Sequence, residues 1–169
     1  MNQEWIAVTD RKQCGGEFLK TVQTLAGQGL KTIILREKDL SEEEYGELAA
    51  RCMEICRKTG ASLTLHKYFH AARGLGADRI HLPYPVFREN AGKIDQHIHV
   101  STSIHAPGEA VEAERMGAEF VIAGHIFQTD CKKGVPPRGL EFLRETVQSV
   151  SIPVYAIGGI TPYNIGDVL

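Results

Sequence analysis

No run of about 18 apolar residues occurs in this sequence, so it offers no helix able to cross a bilayer. Charge of one sign is also missing. The 19 lysines and arginines stand against 21 acidic residues, for a formal charge of -2, which leaves no basic footprint for nucleic acid. The opening residues MNQEWIAVTD lack the basic and apolar regions of a signal peptide. The four cysteines, Cys14, Cys52, Cys56 and Cys131, form no CxxC pair, and in a reducing compartment they stay as thiols. These absences lead to the expectation of a cytoplasmic protein with no membrane and no nucleic-acid partner.

What is present is enough apolar material for one sizeable core. At 169 residues, 43% hydrophobic and 24% charged, residues 1–169 are expected to form a single domain. Seven short β-rich runs recur: 5–10, 31–37, 62–66, 79–83, 97–103, 120–127 and 153–159. Helical patterns lie between them. SEEE at 41–44 has the form of a capping box, and Tyr45, Leu48, Ala49, Cys52 and Ile55 make an apolar stripe behind it, so Cys52 and Cys56 read as core cysteines. EAVEAERMGAE at 109–119 places Ala110, Ala113 and Gly117 on one face, the helix signal between 83 and 97 is weak, and TPYNIGDVL closes the chain in a helical pattern.

Several of the strand runs are almost continuously apolar, and strands alternate with helices, the pattern of a parallel α/β sheet. Helix, glycine turn and buried strand recur in GLGADRIHLP, RMGAEFVIAG and AGQGLKTIIL, which favours a closed barrel over an open sheet. An eight-stranded barrel typically takes about 200 residues or more. The expected fold is therefore α/β, a TIM (β/α)8-type barrel truncated after strand seven.

In such folds the reactive groups gather at the carboxyl ends of the strands. Those positions carry Thr9, Asp10, Arg36, Glu37, Lys38, His66, Lys67, His81, Ser101, Thr102, His125, Gly158 and Gly159. In a barrel Arg36, Lys38, Lys67, Lys132 and Lys133 share one rim, a cationic lining suited to a phosphorylated or carboxylated small molecule, although a loop lysine can also be simply solvated. Gly158-Gly159 before a Thr-Pro helix start lets backbone N–H groups approach a phosphate, and equally can be a structural turn. His66 and His70, and His97 and His99, are spaced closely, but no carboxylate or cysteine completes a ligand set, so no metal is expected. His125 reads either as an acid-base group, since imidazole exchanges protons near pH 7, or as a structural residue at a strand end.

Five stretches in order, LREK (35–38), GADRIHL (76–82), HVSTS (99–103), GHIFQTDCKKGVPPRGL (124–140) and PVYAIGGITPYNI (153–165), resemble the thiamine phosphate synthase and TenI superfamily. The resemblance implies a (β/α)8 barrel that handles a thiazole phosphate in thiamine biosynthesis. It also exposes departures from the synthases. Ile34 stands where they have Gln, His66 and Lys67 where they have an Asn-Asp pair whose Asp ligates magnesium, and LPYPVF has no acid where a second magnesium Asp follows strand four.

His125 occupies the place of the synthases' Pro in a GPIF-like motif, as in the TenI branch. On this pattern the expectation is a thiazole tautomerase, an isomerase of the carboxythiazole phosphate that needs no cofactor, with His125 as the catalytic residue moving a proton from ring C2 to the exocyclic carbon. The resemblance places Thr129, Asp130, Cys131 and Gly159 near the thiazole phosphate and Ser101 and Lys132 at the pocket wall. Arg36, Lys38 and Gly158 join them as substrate-binding residues. A non-catalytic phosphate-binding or regulatory protein, and a thiamine phosphate synthase, are the alternatives. An uncovered strand edge, together with the family, leads to the expectation of a homodimer.

Overall fold

The computed structural model describes residues 4–169, which divide into two compact units, one ending at His81 and the other Leu82–Leu169. Seven parallel strands alternate with helices, and sheet neighbours follow chain order. This is the order of a TIM-type barrel carried through strand seven.

In the first unit β1 (Ile6–Val8), β2 (Thr32–Leu35), β3 (Ser62–His66) and the first residues of β4 (Arg79–Pro83) are linked by α1 (Phe18–Gly27), α2 (Glu42–Thr59) and α3 (Phe69–Gly74). The register pairs Ile6 with Thr32, Ile34 with Thr64, Leu65 with Ile80 and His66 with His81, which brings the ends of β3 and β4 level. Ile33, Ile34, Leu35, Leu65 and Ile80 are at most 1% exposed, each burial being worth about 1.5–3 kcal/mol.

Helix α2 begins as its sequence dictates: the Ser41 hydroxyl accepts from the Glu44 N–H, and the Glu44 carboxylate accepts from the Ser41 N–H. Its buried face is Tyr45, Ala49, Cys52 and Cys56, while Leu48 and Ile55 of the expected stripe are only half-buried. Burial pushes the Cys52 thiol up to about 12 and raises that of Cys56, so both behave as core groups.

Tyr45 joins this helix to two strand ends. Its hydroxyl donates to the Leu35 carbonyl at 2.7 Å and accepts from the His66 N–H at 2.7 Å. Tyr45→Phe leaves both backbone groups unsatisfied at a fully buried site, and a loss of about 1–3 kcal/mol is expected. The urea midpoint should fall at constant slope; an unchanged midpoint would contradict the role given to the hydroxyl.

The second unit contains α4 (Tyr84–Asn90), β5 (His99–Ile104), α5 (Pro107–Arg115), β6 (Phe120–Gly124), α6 (Gly139–Ser149) and β7 (Val154–Ile157). Ser101 pairs with Phe120, and Gly124 with Ile157. Ala110 and Ala113 are fully buried on α5, while Gly117 lies beyond its end in the turn to β6.

Two expectations fail here. β6 ends at Gly124 rather than at Phe127, because from His125 onward the chain leaves the ladder, although the Ile126 and Phe127 N–H groups still donate to the carbonyls of Ile157 and Gly158 at 3.0 and 2.9 Å. TPYNIGDVL forms only a single 3-10 turn, Ile165–Asp167. The Asn164 side chain accepts from the Thr161 N–H and donates to the Gly159 carbonyl, local bonds that compete with a helix start.

Candidate active site

In the first unit the segment after β2 is pinned by a buried carboxylate. Glu37, 3% exposed, accepts from the Thr9 hydroxyl at 2.6 Å and from the Arg11 N–H at 3.1 and 3.2 Å. The same Thr9 hydroxyl accepts from the Arg36 N–H, so one hydroxyl and one carboxylate tie the ends of β1 and β2 together. These bonds satisfy the Glu37 charge. They also fix the backbone of its neighbours, half-buried Arg36 and exposed Lys38.

At the ends of β3 and β4 the His66 and His81 rings stack, centroids 5.9 Å apart and 21° between planes. Burial, and after it Arg36, Lys38 and Lys67, pull His66 down to about 4. Burial, His66 and Arg36 pull His81 down to about 3. Both rings are neutral at pH 7, kept so first by burial and then by neighbouring positive charge, from Arg36, Lys38 and Lys67 at His66 and from Arg36 at His81. Lys67 adopts a left-handed backbone at φ 72°, donates its N–H to the His81 carbonyl at 3.1 Å, and sets its ammonium 5.3 Å from the Tyr68 ring.

The magnesium implied by the resemblance does not fit this arrangement. Mg2+ takes hard oxygen ligands, mainly carboxylates, in an octahedron. The strand ends here offer a lysine and two imidazoles. Near-parallel rings direct their nitrogens in separate planes rather than at a common point, and three cations repel a fourth. Among the described residues no group of three or more His, Cys, Asp or Glu side chains converges on a point.

The second unit gathers most of the other expected residues around the turn after β7. Gly158 has φ 101°, and a Cβ there would lie 2.4 Å from His125 Cβ; Gly159 has φ 67°, and a Cβ there would lie 2.3 Å from the Gln128 carbonyl oxygen. Residues 125–128 thus press directly on the glycine turn, which only glycine permits. His125, joined to Gly124 by a cis peptide, is 3% exposed. Its Nε2 lies 3.3 Å from the Val135 carbonyl, and its Nδ1 is buried with no hydrogen bond.

Arg138 continues the packing, donating Nε to the Gly124 carbonyl at 2.9 Å and its N–H to the His125 carbonyl at 3.0 Å. The sequence reading did not single out Arg138, and its only signal was its place in the PPRG stretch of the matched motif. Thr129 caps the following turn by accepting from the Cys131 N–H. Cys131 and Lys132 are exposed, Lys132 Nζ lies 3.5 Å from His105 Nε2, and Asp130 pairs on the surface with Lys133 at 3.7 Å. Ser101 is buried within β5, at 1% exposure.

Residues 5–169 match the family model described as thiamine monophosphate synthase. A thiamine-phosphate synthase of Syntrophomonas wolfei is 36% identical over 165 residues, covering 94% of this chain and 78% of that protein. One from Pyrococcus horikoshii is 35% identical over 163 residues, covering 96% and 78%. Among solved structures, thiamine phosphate pyrophosphorylase from Pyrococcus furiosus superposes with a TM-score of 0.81 at 29% identity, over 98% of this chain and 79% of that one.

These relatives overturn the tautomerase expectation, and with it the isomerase assignment: they bear the name of a synthase, a transferase. The physical weakness of that expectation lies in His125. A proton-transfer group needs access to its substrate, whereas His125 is buried and its Nε2 is engaged by the Val135 carbonyl. Taken with the fold, the match places the chain in a defined group: it belongs to the thiamine monophosphate synthase (TMP-TENI) family.

Proposed function

We propose that this chain is a transferase of the thiamine-phosphate synthase type, joining a pyrimidine supplied as its diphosphate to a thiazole phosphate. In that reaction the C–O bond to the diphosphate breaks, and its electron pair leaves with pyrophosphate. The names of relatives at 35–36% identity support the reading. The observation that carries it is the placement of Arg36, Lys38 and Lys67 just beyond the ends of the paired strands β2 and β3, where the register sets Leu35 beside Leu65. Fixed cations aimed at a leaving diphosphate stabilise the charge as it develops, with no reorganisation at the moment of reaction.

The remaining site residues take roles in the same reading. Gly158 and Gly159, with Thr129, Asp130, Cys131, Lys132 and Ser101, serve the thiazole phosphate. His125 is a positioning residue that holds residues 125–139 against the glycine turn. Incubation of the chain with both substrates, followed by chromatography, should yield thiamine phosphate. Recovery of both substrates unchanged, with the thiazole phosphate bound, would instead support a second reading, ligand binding without transfer. That reading is favoured by His66 and Lys67 standing where the synthases have Asn-Asp.

β1 and β7 are the first and last strands of the sheet order, and their side chains are largely half-buried rather than buried. We propose that such an edge is covered by a second copy of the chain in a homodimer. Light scattering at micromolar concentration should return twice the monomer mass, and a monomer mass would contradict the proposal.

A further inference from the structure

The misfit between this strand-end cluster and magnesium leads to a definite expectation about ligand chemistry. We infer that Arg36, Lys38 and Lys67, backed by the His66–His81 stack, bind a diphosphate group directly, with no divalent cation bridging it to the protein. The inference rests on the transfer reading for its choice of ligand, but its geometry belongs to the first unit alone.

Three observations support it. The cluster is built rather than incidental: Arg36 is anchored through its N–H to Thr9, Glu37 beside it is buried in hydrogen bonds, and the Tyr45 hydroxyl fixes the His66 backbone. Two of its cations, Arg36 and Lys67, also lack an acidic partner. Among the described residues no carboxylate makes an ion pair with Arg36 or Lys67, whereas Arg11 and Lys12 nearby are both taken up by Asp39 at 2.9 and 3.2 Å. The third is Lys67 itself. By the family resemblance it stands where the synthases place a magnesium ligand, so the protein supplies a fixed positive charge where they supply a bound metal. A guanidinium and two ammonium groups give the N–H donors that phosphate oxygens accept, Arg as a fork and Lys as a point charge.

The test is calorimetry of the wild-type chain with inorganic pyrophosphate, in buffer containing EDTA and again in buffer containing magnesium. Binding is expected in EDTA, and magnesium should not tighten it. Lys67→Gly removes the charge while keeping a residue that accepts φ 72° without strain, and should weaken binding in EDTA roughly ten- to a hundredfold. Binding only when magnesium is added, no binding in either buffer, or wild-type affinity in Lys67→Gly would each overturn the inference. The transfer reading fails separately. A chain that binds pyrophosphate in EDTA but forms no thiamine phosphate leaves the inference standing, and one that forms product but needs magnesium for pyrophosphate binding leaves only the transfer reading.

Discussion

Lys67→Gly should lower the rate of thiamine phosphate formation about a hundred- to a thousandfold, the range found when one preorganised charge stabiliser is removed from a reacting centre. The effect should fall mainly on the turnover number, because the diphosphate gains charge as the bond to it breaks and the ammonium interacts more strongly with the transition state than with the bound substrate. Lys67 suits this use structurally. Its backbone is left-handed and its side chain exposed, so glycine relieves strain instead of adding it, and the fold around His66 and His81 should stay intact. Lys67→Arg keeps the charge and should retain most of the activity lost in the glycine variant. A Lys67→Gly rate within about threefold of wild type would mean that the cluster does not stabilise the leaving group.

Gly159→Ala should have the largest effect on stability. The new methyl group would sit 2.3 Å from the Gln128 carbonyl oxygen and 2.8 Å from the Phe127 carbonyl carbon, both backbone atoms that cannot swing aside, at φ 67°. The left-handed conformation costs about 1–2 kcal/mol and the overpacking about 1–3 more, so a loss of about 2–5 kcal/mol is expected. Against an ordinary stability of about 5–15 kcal/mol this is severe. Gly158→Ala, with His125 Cβ only 2.4 Å away, should behave in the same way. Gly166 is the control, since no atom lies within 4 Å of a Cβ there and its φ is not left-handed, so Gly166→Ala should leave the urea midpoint nearly unchanged. Equal midpoints for Gly159→Ala and Gly166→Ala would show that the turn is not packed as described.

How far these features could be read from the sequence depended on how local their causes are. The seven strands were legible because each is a short apolar run bounded by turn residues, and the Ser41–Glu44 capping box because its partners are three residues apart. The overrun of β6 came from the apolar continuation to Phe127, which carried no sign that the strand geometry stops at Gly124. Tyr45 looked like one more stripe residue. Its double hydrogen bond reaches 10 and 21 residues along the chain, and the Glu37 network reaches 26 to 28, so neither could be seen from spacing. The burial of His125 is hidden for the same reason, since its Nε2 meets the Val135 carbonyl ten residues away and Gly158 packs against its Cβ from beyond β7.

The functional reading went astray on a point of electrostatics. The tautomerase expectation gave weight to the two missing magnesium acids, yet Lys67, beside Arg36 and Lys38, supplies positive charge to the same strand ends. Substitution of a metal ligand by a cation changes how a polyanion is held before it changes which polyanion is held. Relatives named as synthases and a chain with Lys67 share one fold and, on the proposed transfer reading, one class of ligand.

The most direct measurement is a phosphorus NMR time course of the wild-type chain with the pyrimidine diphosphate and the thiazole phosphate. Thiamine phosphate and pyrophosphate should appear together in equal amounts, at a rate that drops sharply in Lys67→Gly. Persistence of both substrate signals over many enzyme equivalents, or pyrophosphate release without thiamine phosphate, would contradict the assignment of this chain as a synthase-type transferase.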